Sequence, residues 1–290
     1  MRRSILFATV SLLVAAPVGA QLSDAELSSR IRAGDADDAP VGALLSAASA
    51  AGSMRDYAAA DAYLERAWQQ TGSMINGLIG NALTLELASG GGAVGAQRAF
   101  RDIRSTFNLS PVAIAAWAGN FPELLTTGEF DDMILRLSPD ADDPEYRCAC
   151  DNVRAWVHRL AGREEEAREI WAGFVRTQIE AVDAAPNRDA EAQIRGQYAR
   201  NLARAGLEAE AREHLRISME TEVSEEALPA VRRRWAQAYA ELGDAEAAVE
   251  HLEALLASNS PVSVHSLEAR VTWNGIRDHP AFQALLDRHR

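Results

Sequence analysis

Two stretches of this chain carry one pattern. Residues 198–215 read YARNLARAGLEAEAREHL and residues 235–252 read WAQAYAELGDAEAAVEHL. Superposed, they place Tyr198 on Trp235, Ala199 on Ala236, Leu202 on Tyr239, Gly206 on Gly243, Ala211 on Ala248 and Leu215 on Leu252, at a constant offset of 37 residues. A period of this size marks a repeated supersecondary unit that cannot bury its apolar face alone. Such units are stable only when stacked on neighbours, so the chain is constrained to an array.

The pattern inside each unit is helical. Apolar residues recur at i, i+3, i+4 and i+7 on either side of a glycine, which takes a positive φ cheaply at the turn. The clearest unit spans about Pro229 to Ser258, with Trp235, Ala236, Tyr239 and Leu242 before Gly243 and Ala248, Leu252 and Leu255 after it. The preceding unit runs from about Ala190 to Ser218. A third centres on Gly162, with Val153, Trp156, Val157 and Leu160 ahead and Ala167, Ile170, Trp171 and Phe174 behind. Gly162 lies 44 residues before Gly206, and the surplus falls in the Pro- and Asn-containing stretch Asp183 to Asp189, which reads as a loop. Upstream, hairpins are expected at Leu44–Trp68, at Ile75–Phe107 around Gly90-Gly91-Gly92, and at Val112–Leu137 turning at Gly128. No segment alternates as a half-buried strand would, so the expected class is all-α, about six hairpins in an α-solenoid.

These glycine, alanine and large apolar positions resemble the signature of tetratricopeptide repeats, whose period is ~34 residues. The resemblance is clear over residues 190–258, extends to 145–175, and is weaker over 42–137. The tail resembles the closing segment of many bacterial tetratricopeptide proteins through Ser260-Pro261-Val262-Ser263-Val264, Trp273 and Ile276 to Leu286. The usual Leu-Asp-Pro before the tryptophan is replaced by Ala269-Arg270-Val271-Thr272. None of the kinase, winged-helix or TolB-like modules carried by some of those proteins is present. The tail reads physically as a cap: Asp278 or His279 precedes Pro280 at a helix start, and Phe282, Leu285 and Leu286 face the last repeat.

The N-terminus carries a different signal. Arg2 and Arg3, an apolar run from Ile5 to Ala16 and the small residues Val18-Gly19-Ala20 form the pattern of a secretory signal peptide, with a mature chain from about Gln21. The expected organisation is residues 1–20 signal peptide, 21–41 lead segment, 42–144 degenerate repeats, 145–258 tetratricopeptide-like repeats and 259–290 cap. The expected location is the periplasm or the exterior, with membrane association only if the leader is retained as an anchor. The net charge is −13 with no lysine, and removal of the leader leaves 27 arginines against 42 acids. Such an acidic chain repels phosphate backbones and anionic lipid, which argues against nucleic-acid and bilayer partners.

Chemistry-bearing motifs are few. Cys148-Ala149-Cys150 is the only cysteine pair. On a helix, residues i and i+2 diverge by about 200°, so the expected reading is packed or free thiols, with Cys150 on the stripe of Val153 and Val157. A local disulfide, or a metal or redox site with Asp151 and His158, is the alternative. The acids of Ser138–Glu145 lack the glycine and distal glutamate of a calcium loop and read as a solvated turn. His214 and His251 occupy equivalent repeat positions. With no nucleophile elbow, phosphate loop or zinc-protease pair, neither a catalytic site nor a cofactor is expected.

The remaining candidates are basic. The repeat register places Arg200, Arg204, Arg233 and Gln237 on the groove side of the last hairpins, with Arg159 beside them. Arginines there suit an acidic peptide or a C-terminal carboxylate through bidentate contacts. The competing reading pairs them with neighbouring helix glutamates. The expectation is an exported, non-catalytic scaffold that holds a protein or peptide partner.

Overall fold

A computed structural model describes residues 41–69, 75–107, 109–258, 260 and 262–290. The signal-peptide expectation, and all but the end of the lead segment, lie outside these residues. Among the described residues the protein is all-helical, with no strand and one isolated bridge between Ser138 and Arg147. None of these helices is long and apolar enough to cross a membrane.

The α-helices are α1 (Val41–Ser53), α2 (Tyr57–Gln69), α3 (Ile75–Ser89), α4 (Gly92–Phe107), α5 (Pro111–Asn120), α6 (Asp131–Leu135), α7 (Asp151–Leu160), α8 (Glu164–Arg176), α9 (Ile179–Asp183), α10 (Arg188–Arg204), α11 (Glu208–Glu220), α12 (Leu228–Glu241), α13 (Ala245–Leu256), α14 (Val264–Ala269) and α15 (Pro280–His289). Consecutive helices pack as pairs: α1 with α2, α3 with α4, α7 with α8, α10 with α11 and α12 with α13. The third expected upstream hairpin is reduced. Its Pro122 opens a short 3-10 helix (Pro122–Leu125) after α5, and only the five residues of α6 follow the turn at Gly128.

Three hairpins share one turn. Gly162, Gly206 and Gly243 have φ of 76°, 77° and 73°. After each, an N–H reaches back across the helix end: Arg163 donates to the His158 carbonyl, Leu207 to Leu202 and Asp244 to Tyr239. This is the left-handed helix stop that favours glycine because it has no Cβ to clash. The first hairpin makes the same turn with Arg55 at φ 62°. The surplus residues between the Gly162 and Gly206 units form α9 and a turn, and Asn187 caps α10 through the Ala190 N–H.

Stacking repeats face each other at equivalent positions. Arg200 donates to Gln237 (2.8 Å) and Arg204 to Glu241 (2.6 Å), each pair separated by the repeat offset of 37. Gly196 lets α10 and α12 approach closely, since a Cβ there would lie 2.9 Å from Arg234 Cβ. Beside it the buried Ser218 hydroxyl joins three helices, donating to the Ala192 carbonyl and accepting from Trp235 Nε1. The equivalent histidines both stack on aromatic rings of the preceding helix. His214 packs edge-on to Tyr198, and His251 packs on Trp235 and Tyr239.

The tail does more than cover the last repeat. α15 packs on α13, burying Phe282, Leu285 and Leu286, and His279 caps it by accepting from the Ala281 N–H. Before that, the segment from Val262 to Trp273 crosses to the first half of the chain, where α14 rests on α3 and α4. The Ser263 hydroxyl donates to the Ala88 carbonyl (2.7 Å), and the Val271 N–H donates to Glu123 Oε1 (3.0 Å).

Candidate functional site

The arginines expected to line one groove divide into two groups with opposite electrostatics. Arg159 from α7 and Arg204 from α10 converge on Glu241 at the end of α12, at 2.8 and 2.6 Å. Arg204 and Glu241 are only 1% and 5% exposed, so their pair is interior, whereas Arg159 is 25% exposed and also pairs with Glu164 at 3.2 Å. Its walls are the perpendicular rings of Trp156 and Trp171, with the Arg204 guanidinium 4.5 Å from the Trp156 centroid and that of Arg159 4.9 Å from the Trp171 centroid. Burial pushes the Glu241 carboxyl up, but attraction and hydrogen bonds from Arg204 and Arg159 take it below its ordinary value. These two arginines are therefore spent on packing, as the pairing alternative anticipated.

The second group is not neutralised. Arg200, Arg233 and Arg234 are partly buried, and none forms an ion pair with a described residue. Arg200 and Arg234 share a neutral acceptor, the buried Gln237 amide oxygen, at 2.8 and 3.5 Å. Arg200 Nε is buried without any partner. Burial, then the positive charges of Arg204 and Arg234, push the Arg200 guanidinium well below its usual value, and Glu241 only partly offsets this. Burial with Arg234 and Arg270 pushes Arg233 down to about 9, and burial with Arg270 and Arg204 pushes Arg234 down to about 10. Arg233 and Arg234 thus remain cationic at neutral pH, held in a field of like charge.

Arg270 was not among the sequence candidates. It comes from the crossing tail, lies over the Phe121 ring at 5.1 Å from the centroid, and adds its charge to the cluster. Arg234 was also missed, although it adjoins Arg233. Nothing in the sequence brings Arg270 to α10 and α12, because the link is a tertiary crossing.

The cysteine expectation needs correction. Cys148 and Cys150 form a disulfide with Cα atoms 5.2 Å apart. Divergence around a helix does not apply to them, because α7 begins only at Asp151, with Cys150 as its N-cap. Ser138 holds the preceding segment extended by accepting from the Cys148 N–H and donating to the Tyr146 carbonyl. Among the described residues no group of three or more histidines, cysteines or acids is placed to hold a metal ion. The acidic turn is built around Asp143, which caps a 3-10 turn by accepting from Glu145. No protein-family model, curated protein or solved structure matches this chain.

Proposed function

We propose that this chain is a tetratricopeptide-like helical solenoid, exported by way of residues 1–20, that holds an acidic protein or peptide partner without transforming it. The observation that carries this reading is the set of arginines on α10 and α12 left without carboxylates in a chain of net charge −13. Acids are abundant, and elsewhere they pair readily: Arg216 with Glu213 and Glu220, Arg195 with Glu191. Cations kept apart from that supply are poised for charge on another molecule. The packed helix pairs and the face-to-face repeat contacts support the solenoid, which presents such side chains on a continuous surface. The test is crosslinking in the cell envelope followed by recovery of the attached protein, comparing the native chain with Arg200→Glu, Arg233→Glu combined. The expected result is loss of the partner; undiminished recovery refutes the reading.

A further inference from the structure

We infer that Cys148 and Cys150 are a redox-active pair that passes its disulfide to two thiols of a client protein. This goes beyond the partner-holding reading and does not rest on the arginine-bearing helices.

The bridge sits where a structural staple achieves little. It closes a loop with a single intervening residue, so it removes little freedom from the unfolded chain. The backbone at each sulfur is held without it. On one side the Ser138 carbonyl accepts from the Cys148 N–H, and the Ser138 N–H donates to the Tyr146 carbonyl, each at 3.1 Å. On the other side the Cys150 carbonyl accepts from the Val153 and Arg154 N–H groups, both at 3.1 Å, as α7 begins. Opening the bridge therefore leaves both cysteines in place, as a pair working in two oxidation states requires. Both residues are half-buried at the edge of the core that contains Ile134, Leu137 and Val153. Arg147 before them and Ala149 between them are exposed, so a client approaches from solvent.

The two sulfurs are not equivalent. Cys150 is the N-cap of the ten-residue α7, and its side chain makes no capping bond while oxidised. Once released, its thiolate lies at the positive end of that helix, where the first-turn N–H groups and the dipole favour it. Asp151 opposes this from the first turn, but Arg154 pairs with it at 3.2 Å. Cys148 precedes the helix and gains no such support.

In thiol–disulfide exchange the better-stabilised thiolate leaves faster. A client thiolate thus attacks Cys148 Sγ, the bond to Cys150 breaks, and its electron pair leaves on Cys150 Sγ. The second client thiolate attacks the client sulfur of that mixed disulfide and releases Cys148 as a thiolate. The client departs with a disulfide, and Cys148 and Cys150 hold its two electrons. The two client protons pass to water or to the released thiolates. A small disulfide such as oxidised glutathione, itself reduced to two thiols, restores the bridge.

The test mixes the full oxidised chain with a reduced peptide carrying two cysteines, in a single turnover without glutathione. The expected products are an oxidised peptide and a chain heavier by about 2 Da with unchanged helical circular dichroism. Acid quenching should trap a mixed disulfide that maps to Cys148. With oxidised glutathione present, catalytic amounts of the chain should speed peptide oxidation at least about tenfold, and Cys148→Ser and Cys150→Ser should each abolish that acceleration. At pH 7, Cys150 in Cys148→Ser should be alkylated about fivefold faster than Cys148 in Cys150→Ser. The inference is overturned if the peptide stays reduced, if reduction of the bridge unfolds the helices, if the trapped adduct sits on Cys150, or if the two thiols alkylate at equal rates.

Discussion

Glu241→Gln removes the carboxylate shared by the buried Arg204 and the partly exposed Arg159, and only Arg159 keeps a second partner, Glu164. Arg204 is 1% exposed, so water cannot replace the lost charge, and breaking a buried pair in this way costs about 3–5 kcal/mol. The retained amide oxygen still accepts one hydrogen bond, and the Trp156 and Trp171 faces still attract the guanidiniums. Those residual contacts place the expected loss near the lower end, about 3 kcal/mol, or roughly 6–12 °C in melting temperature for a chain of this size. Urea unfolding followed by helical circular dichroism and by tryptophan fluorescence measures it. Acid provides a second arm. The carboxyl is depressed in the folded state, so its contribution is complete above the unfolded range of about 4.3 and is lost as pH falls through the lower folded value. The gap between native and variant should be flat from neutral pH down to about 5 and should close below about 4. Adding Arg204→Met to the variant should recover part of the loss by removing the stranded cation. A native-like variant, within about 1 kcal/mol at pH 7, or a gap unchanged in acid, refutes the triad argument.

Three further outcomes follow from local geometry. Ser218→Ala leaves the Trp235 indole N–H unpaired in the interior and should cost about 1–3 kcal/mol by denaturant titration. Gly243→Ala meets no neighbouring atom within 4 Å, yet φ is 73°. Its cost should therefore be the backbone term alone, about 1–2 kcal/mol, with no change in the near-ultraviolet spectrum. Reduction of the Cys148–Cys150 bridge opens a loop with a single intervening residue; chain entropy assigns it only about 1.5 kcal/mol, so the melting temperature should fall by less than about 6 °C, with a 2 Da mass gain confirming reduction.

The repeat hairpins were legible because apolar periodicity and turn glycines act locally. α10 to α13 lie where Tyr198, Gly206, Trp235 and Gly243 place them. The same offset holds a second signal: advancing Arg204 by one repeat lands on Glu241, which marks that arginine as paired. The disulfide was hidden because helical spacing does not reach Cys148, where Ser138 keeps the stretch extended through its backbone bonds. Arg270 was out of reach for a different reason. Its neighbours are determined by the tail crossing to Phe121 and Glu123, a contact spanning 148 residues at Val271 that no local pattern encodes.

A linear array of repeats ordinarily peels from its ends, each unit depending only on the next. In this chain Ser263 is fastened to Ala88, across 175 residues. The last units cannot melt away without releasing α3 and α4, and the early ones cannot loosen without freeing the stretch that bears Arg270. Unravelling should then proceed as one event.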